Sequence, residues 1–241
     1  MKAAISDYKT RLEEIDIYFN FMEKLDNDSP SLTYFTKGRK MTRKIDEQLT
    51  TILKANGFIL LYNLVESTCR NCLSTIHEEI KSNKTDFSKL NNEIKGTWVQ
   101  FRSTSFFKMN ENALKDELKK MIEILLSSTT IELTEDNIKK QLSGNVDLKK
   151  IKQVSDKYGF SISKRFNGYG DGLQKVKDNR NYLAHGLKTF IICGGDYTMP
   201  EMMNIKKGTI RFLNSLLKIV EKYIDKKKYL IKDTTNIPQA S

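Results

Sequence analysis

A chain of 241 residues can bury a sizeable core, and no apolar run in it approaches the roughly 20 residues of a membrane span. The net charge of +11 and the pI near 9.4 exclude a strongly acidic surface and favour polyanionic partners such as nucleic acid, although lysine-rich surfaces also serve solubility alone. Three cysteines are too few for a disulfide framework, and Met1-Lys2-Ala3-Ala4 leads into an amphipathic pattern and not a signal-peptide core, so a soluble cytoplasmic protein is expected.

The first element is a helix from Ile5 to Leu25, in which Ile5, Tyr8, Leu12, Ile15, Phe19 and Met22 recur at three- and four-residue steps. Asn27 to Ser31 breaks it. Lys37-Gly38-Arg39-Lys40 and Arg43-Lys44 then form a basic cluster, either a solvated face or part of a phosphate-binding surface.

Asp46 to about Ser82 is the most apolar tract. Phe58, Leu61, Val65, Cys69, Cys72, Ile76 and Ile80 form one seam at helical spacing, and Gly57 marks a kink or a junction between two helices. A neighbouring stripe is polar: Asn63, Glu66, Arg70, Ser74 and His77. Glu66 and Arg70, four apart, can pair on one face, and His77 reads as a surface or interface residue. Cys69-x-x-Cys72 has no second pair to complete a zinc site, and two buried thiols are expected.

Helices are expected over Phe87 to Phe101, Asn110 to Ser127, and from Thr134 to a stop at Gly144-Asn145. Asp147 caps a further helix that Tyr158-Gly159-Phe160 closes. Ser161 to Gly172 is the loosest interior stretch and feeds the next helix. Leu187 to Ile192 is a short strand candidate, with Ile131 to Leu133 as its partner. Pro200 opens a long helix to about Lys227, followed by a frayed tail.

The helix beginning near Leu173 ends in Asp178-Asn179-Arg180-Asn181-Tyr182-Leu183-Ala184-His185-Gly186. Arginine can clamp a phosphate with a planar fork of donors, and histidine can move a proton near neutral pH. On an ideal helix, residues five apart lie about 140° round the axis and about 7.5 Å along it, so Arg180 and His185 do not share a face, whereas Asn181 and His185 do. Either the arginine reaches round the helix end, or a second copy of the helix faces the first across a two-fold axis. Spacing alone also fits a surface arginine and a histidine capping the last turn. In the catalytic reading His185 exchanges a proton with a ribose 2′-hydroxyl or the leaving 5′-oxygen, Arg180 stabilises the transition-state charge, and Asn181 holds the phosphate or the imidazole tautomer. That chemistry needs no metal or cofactor.

Arg180-Asn181-x-x-x-His185 resembles the R-x4-6-H signature of HEPN domains, and Glu66-x-x-x-Arg70 resembles the E-x3-K/R element of many members. Gly57 to Thr68, Gly144 to Asp147, Asp156 to Phe160 and Arg180 to Gly186 are similar to the MAE-type HEPN proteins of bacterial defence and conflict systems. The resemblance implies an all-α, HEPN-like helical bundle with extra helices and room for one small two-stranded β element. One domain over 1–230 is expected, with its core over about 43–85 and 171–228, a helical elaboration over about 86–160, and a flexible tail over 231–241. It implies a metal-independent endoribonuclease that leaves a 2′,3′-cyclic phosphate and acts as a toxin or antiviral effector. Arg180, His185 and Asn181 are its catalytic set, and Glu66, Arg70, Tyr182 and Asp178 support the site or an interface. Lys177, Lys164 and Arg165 are candidate RNA contacts. The implied partners are RNA (tRNA or mRNA), a second copy completing a composite active site, and a cognate antitoxin or defence-system protein. The alternatives are a non-catalytic RNA- or nucleotide-binding module and a helical assembly subunit.

Overall fold

Helix α2, Glu47–Ser82, is the mast of the molecule, and five of the other eight α-helices among the described residues pack against it. The computed structural model describes residues 1–27, 30–104, 106–127, 130–131, 133–142 and 145–231; Glu132, Gly144 and all but the first residue of the expected tail lie outside them. Among the described residues there are nine α-helices and one two-stranded antiparallel sheet, an all-α protein with a small β element.

The expected seam of α2, from Phe58 to Ile80, is buried throughout. At about 1.5–3 kcal/mol for each fully buried apolar side chain, that seam is a large share of what holds the helices together. No break occurs at Gly57. A Cβ there would lie 3.0 Å from Met202 Cε and 3.2 Å from Phe19 Cζ, so the glycine lets three helices approach closely instead of bending one. Two of them are α1 (Lys2–Asn27) and α9 (Met199–Asp225), which pack on α2 and on each other. Between α1 and α9, the buried Lys206 ammonium meets Asp16 at 2.6 Å and lies over the Phe19 ring. The start of α9 is set by a capping box, with Thr198 accepting from the Glu201 backbone and Glu201 reaching back to Thr198.

Helix α7, Gly170–Ala184, completes a four-helix group with α1, α2 and α9, so the fourth member of the bundle is the N-terminal helix. Helices α3 (Asn92–Ser103), α4 (Glu111–Leu126), α5 (Glu135–Leu142) and α6 (Leu148–Tyr158) lie between α2 and α7 in the chain. As expected, Asp147 caps α6 by accepting from Lys150 N at 2.7 Å, and Gly159 closes it in the left-handed region. Cys69 and Cys72 are buried, and with Leu142, Ile151 and Leu216 they line a small apolar void. Burial pushes the Cys72 thiol up to about 12.

Several expectations are corrected. The 187–192 stretch is not a strand: Thr189 caps a short helix, α8 (Phe190–Gly195), by accepting from Ile192 N. A brief apolar run fits helix or strand equally by periodicity, and packing decides it. A Cβ on Gly194 would overlap the Thr51 carbonyl of α2, so α8 lies directly on that helix. Among the described residues Thr130 pairs in an isolated bridge with Asp86. The sheet is instead the hairpin β1 (Ser31–Thr36) and β2 (Arg39–Lys44), within the stretch read as a break and a basic cluster. His77 is not at the surface; its Nε2 pairs with the Tyr158 hydroxyl at 2.6 Å in the core. The loose 161–172 stretch holds a 3-10 turn over Lys164–Tyr169, and α7 begins at Gly170, earlier than expected. Among the described residues no helix is long and apolar enough to cross a membrane.

Candidate active site at the end of α7

The C-terminal end of α7 is held by two devices. Inside, the buried Asn179 donates to Tyr197 Oη at 2.8 Å and accepts from Cys193 Sγ at 3.2 Å, which pins α7 to α8 and to the lead-in of α9. Outside, the chain leaves the helix through a Schellman turn. Leu187 N bonds Tyr182 O at 2.8 Å, Gly186 N bonds Leu183 O at 3.2 Å, and Gly186 takes φ +67°. Residues with a Cβ pay about 1–2 kcal/mol in that conformation, which is why glycine follows His185. His185 is therefore the C-cap, its backbone fixed and its side chain exposed.

Arg180 sits one turn earlier, facing α2. Its guanidinium stacks 3.9 Å from the centroid of the Tyr62 ring. One arm donates to Asn181 Oδ1 at 2.8 Å, and the other meets Glu66 Oε2 at 3.5 Å. Glu66 in turn accepts from Arg70 at 2.8 Å on its other oxygen. Asn181 donates to Asn145 Oδ1 at 2.9 Å. Arg70, Glu66, Arg180, Asn181 and Asn145 thus form one hydrogen-bonded chain across three parts of the sequence. Two guanidinium groups share one carboxylate, so the chain carries one net positive charge, and the exposed His185 follows Arg180 by five residues at the end of the same helix. That arrangement suits an anion such as a phosphodiester.

Tyr62 and Asn145 were not assigned roles from the sequence. Tyr62 lies one helical turn before Glu66, on the same face of α2, and its apolar neighbours hide that register. Its hydroxyl accepts from Val146 N at 3.3 Å, and burial raises it above its ordinary value of 10.0. Asn145 stands beside the cap Asp147, which holds the same loop against α7.

The remaining candidates are spread around this chain. Lys177 meets Asp147 at 2.8 Å, with its side chain 15% exposed, so it ties α7 to the cap of α6. Burial by itself would raise the Asp147 carboxyl, but bonds from Lys177 and from the α6 backbone hold it below its ordinary 3.8. Asp178 accepts from Gln174 and lies 3.6 Å from Lys177, and the exposed Tyr182 ring lies under Lys188. Lys164 and Arg165 are exposed ahead of the first turn of α7, roughly 20 Å of helix from His185. His185 makes no side-chain hydrogen bond or ion pair with the described residues, and Asn181 serves Arg180 and Asn145 instead of the imidazole. In the sequence on either side of His185, Tyr182, Leu187, Phe190, Ile191 and Ile192 are exposed, and Lys188 among them pairs with Asp196.

No curated protein and no solved structure matches the chain. A family model described as HEPN_MAE_28990-like HEPN matches the chain over residues 2–229. It takes in both α2, with Glu66 and Arg70, and α7, with Arg180, Asn181 and His185; the chain belongs to the HEPN_MAE_28990-like HEPN family.

Proposed function

We propose that the protein is a metal-independent endoribonuclease in which the end of α7 cleaves RNA through its own 2′-hydroxyl. The observation that carries this reading is the pairing of a positively charged, geometrically fixed Arg180 with an exposed His185 at the same helix end. The His185 imidazole takes the proton from the 2′-hydroxyl, the 2′-oxygen attacks phosphorus, and the bond to the 5′-oxygen breaks as that oxygen receives a proton. The products are a 2′,3′-cyclic phosphate and a 5′-hydroxyl end. Arg180 stabilises the added charge on the pentavalent phosphorus, and Asn181 and Glu66 hold its fork in place.

One imidazole per chain serves one of the two proton transfers at a time. The exposed Leu187, Phe190, Ile191 and Ile192, which follow His185 in the chain, support a two-fold dimer that would bring two Arg180/Asn181/His185 sets to one groove. In that assembly one histidine is the base and its partner copy's is the acid. A role as toxin or antiviral effector, with a restraining partner, follows from the resemblance to defence-system relatives and is part of the same reading.

The test is incubation of purified protein with total RNA in EDTA beside His185→Ala. Cutting by the wild type alone, with cyclic phosphate ends, is expected. RNA binding without cutting by both proteins would instead favour a binding module.

A further inference from the structure

We propose that the β1–β2 ribbon is a second RNA contact, an arm that grips single-stranded RNA outside the α7 site. Every residue of both strands is exposed, and among the described residues the ribbon packs extensively only on itself. Its turn is the tight kind in which both central residues, Lys37 and Gly38, have positive φ. Its base is closed by Ile45 N on Pro30 O at 2.9 Å, and Thr33 and Thr42 meet across the strands. A lone two-stranded ribbon is marginal in water, yet this one leaves Phe35 74% exposed and Leu32 57% exposed.

Charge identifies the occupant. From Pro30 to Ile45 there are five cations, Lys37, Arg39, Lys40, Arg43 and Lys44, and no carboxylate. Among the described residues none of the five is in an ion pair, whereas Lys177 and Lys206 in the helices are matched to Asp147 and Asp16. The register sets Tyr34 opposite Met41, between Arg39 and Arg43 on one face, and Phe35 opposite Lys40, with Lys44 beyond it, on the other. Each face therefore offers an aromatic ring for a base and two cations for the flanking phosphates, the combination that single strands require. An apolar face for lipid is missing, because cations stand on both sides. Strand-to-strand pairing with a second copy would set like charges together.

The ribbon springs from the start of α2, and Glu66 lies about 30 Å along that helix at 1.5 Å per residue. The ribbon itself is about 20 Å long. It is thus an exosite that holds RNA away from the scissile bond. The choice of RNA as the polyanion rests on the function proposed above, but the grip itself does not require cutting.

The experiment uses the full chain carrying His185→Ala and a labelled mixed-sequence single-stranded RNA of about 20 nucleotides. One variant replaces Lys37, Arg39, Lys40, Arg43 and Lys44 with serine; a second carries Tyr34→Ser and Phe35→Ser. The first should weaken binding at least about 10-fold and reduce the slope of log affinity against log salt by up to about 3.5, at about 0.7 per phosphate contact. The second should weaken binding about 10-fold with the slope unchanged. Melting temperatures should match the parent, because no other described element packs extensively on the ribbon. Unchanged RNA affinity in both variants overturns the arm, as does ribbon-dependent binding to phosphatidylserine vesicles with RNA binding unaffected. Failure of the wild type to cut, with ribbon-dependent binding intact, removes the nuclease reading and leaves the arm.

Discussion

The chain's two histidines occupy opposite settings. His77 lies in the last two turns of α2, buried, stacked on Tyr158 and bonded to its hydroxyl. Burial lowers its pKa to about 4, so it is a neutral structural group. His185 caps α7 at the surface, with its backbone locked by the Schellman turn and its ring unpartnered by the described residues. A histidine's task is set by where its helix leaves it. The first is enclosed by a second layer of helices, whereas the second is left exposed at a helix end, five residues past Arg180.

The sharpest way to break this contrast is to remove His185. His185→Ala should cut RNA cleavage by about 100- to 10,000-fold, the usual worth of a positioned acid–base group, with the melting temperature unchanged. A large loss of stability would instead make His185 structural, like His77.

Arg180→Lys comes next. A lysine cannot fork to Asn181 and Glu66 while stacking on Tyr62, so cleavage should fall by about 100- to 1,000-fold. Single-turnover rates at saturating enzyme check this, and activity close to wild type would show that charge alone suffices there.

His77 predicts a pH effect on stability. The unfolded chain takes up a proton near 6.5 and the folded one only near 4, so acidification through that window favours unfolding by up to about 3 kcal/mol. Denaturant titrations at several pH values should show the slope in the wild type and its loss in His77→Gln. Persistence of the slope in that variant would place the titration elsewhere.

The smallest effect belongs to Gly186→Ala. The left-handed φ should cost about 1–2 kcal/mol, read as a lowered melting temperature. Because His185 rides on that turn, activity per folded molecule should fall too, and unchanged activity would detach the turn from the site.

Much of this was legible in the residues because the long helices are strongly periodic. The Phe58-to-Ile80 seam and the Glu66–Arg70 pair needed only helical spacing. What failed did so where tertiary packing overrides local pattern. His77 belongs to a polar stripe whose upper end is exposed, and only the Tyr158 helix folding over it makes it core. Phe190 to Ile192 reads as a strand until Gly194 seats the segment on α2. The hairpin was masked by its own charge, since Lys37-Gly38 stood within a basic run and not between two apolar ones. At the site, Arg180 and Asn181 stood out by type, while Tyr62 was lost among its apolar neighbours and Asn145 beside a glycine read as a helix stop.

The most direct measurement of the central claim uses one short RNA whose cleavage position has been mapped, beside the same strand with a single 2′-deoxy residue on the 5′ side of that position, both in EDTA. Attack by the 2′-hydroxyl yields a 2′,3′-cyclic phosphate by mass spectrometry from the all-ribose strand and no cut in the substituted one. Cleavage of the 2′-deoxy strand, or products ending in a 3′-hydroxyl, would contradict it.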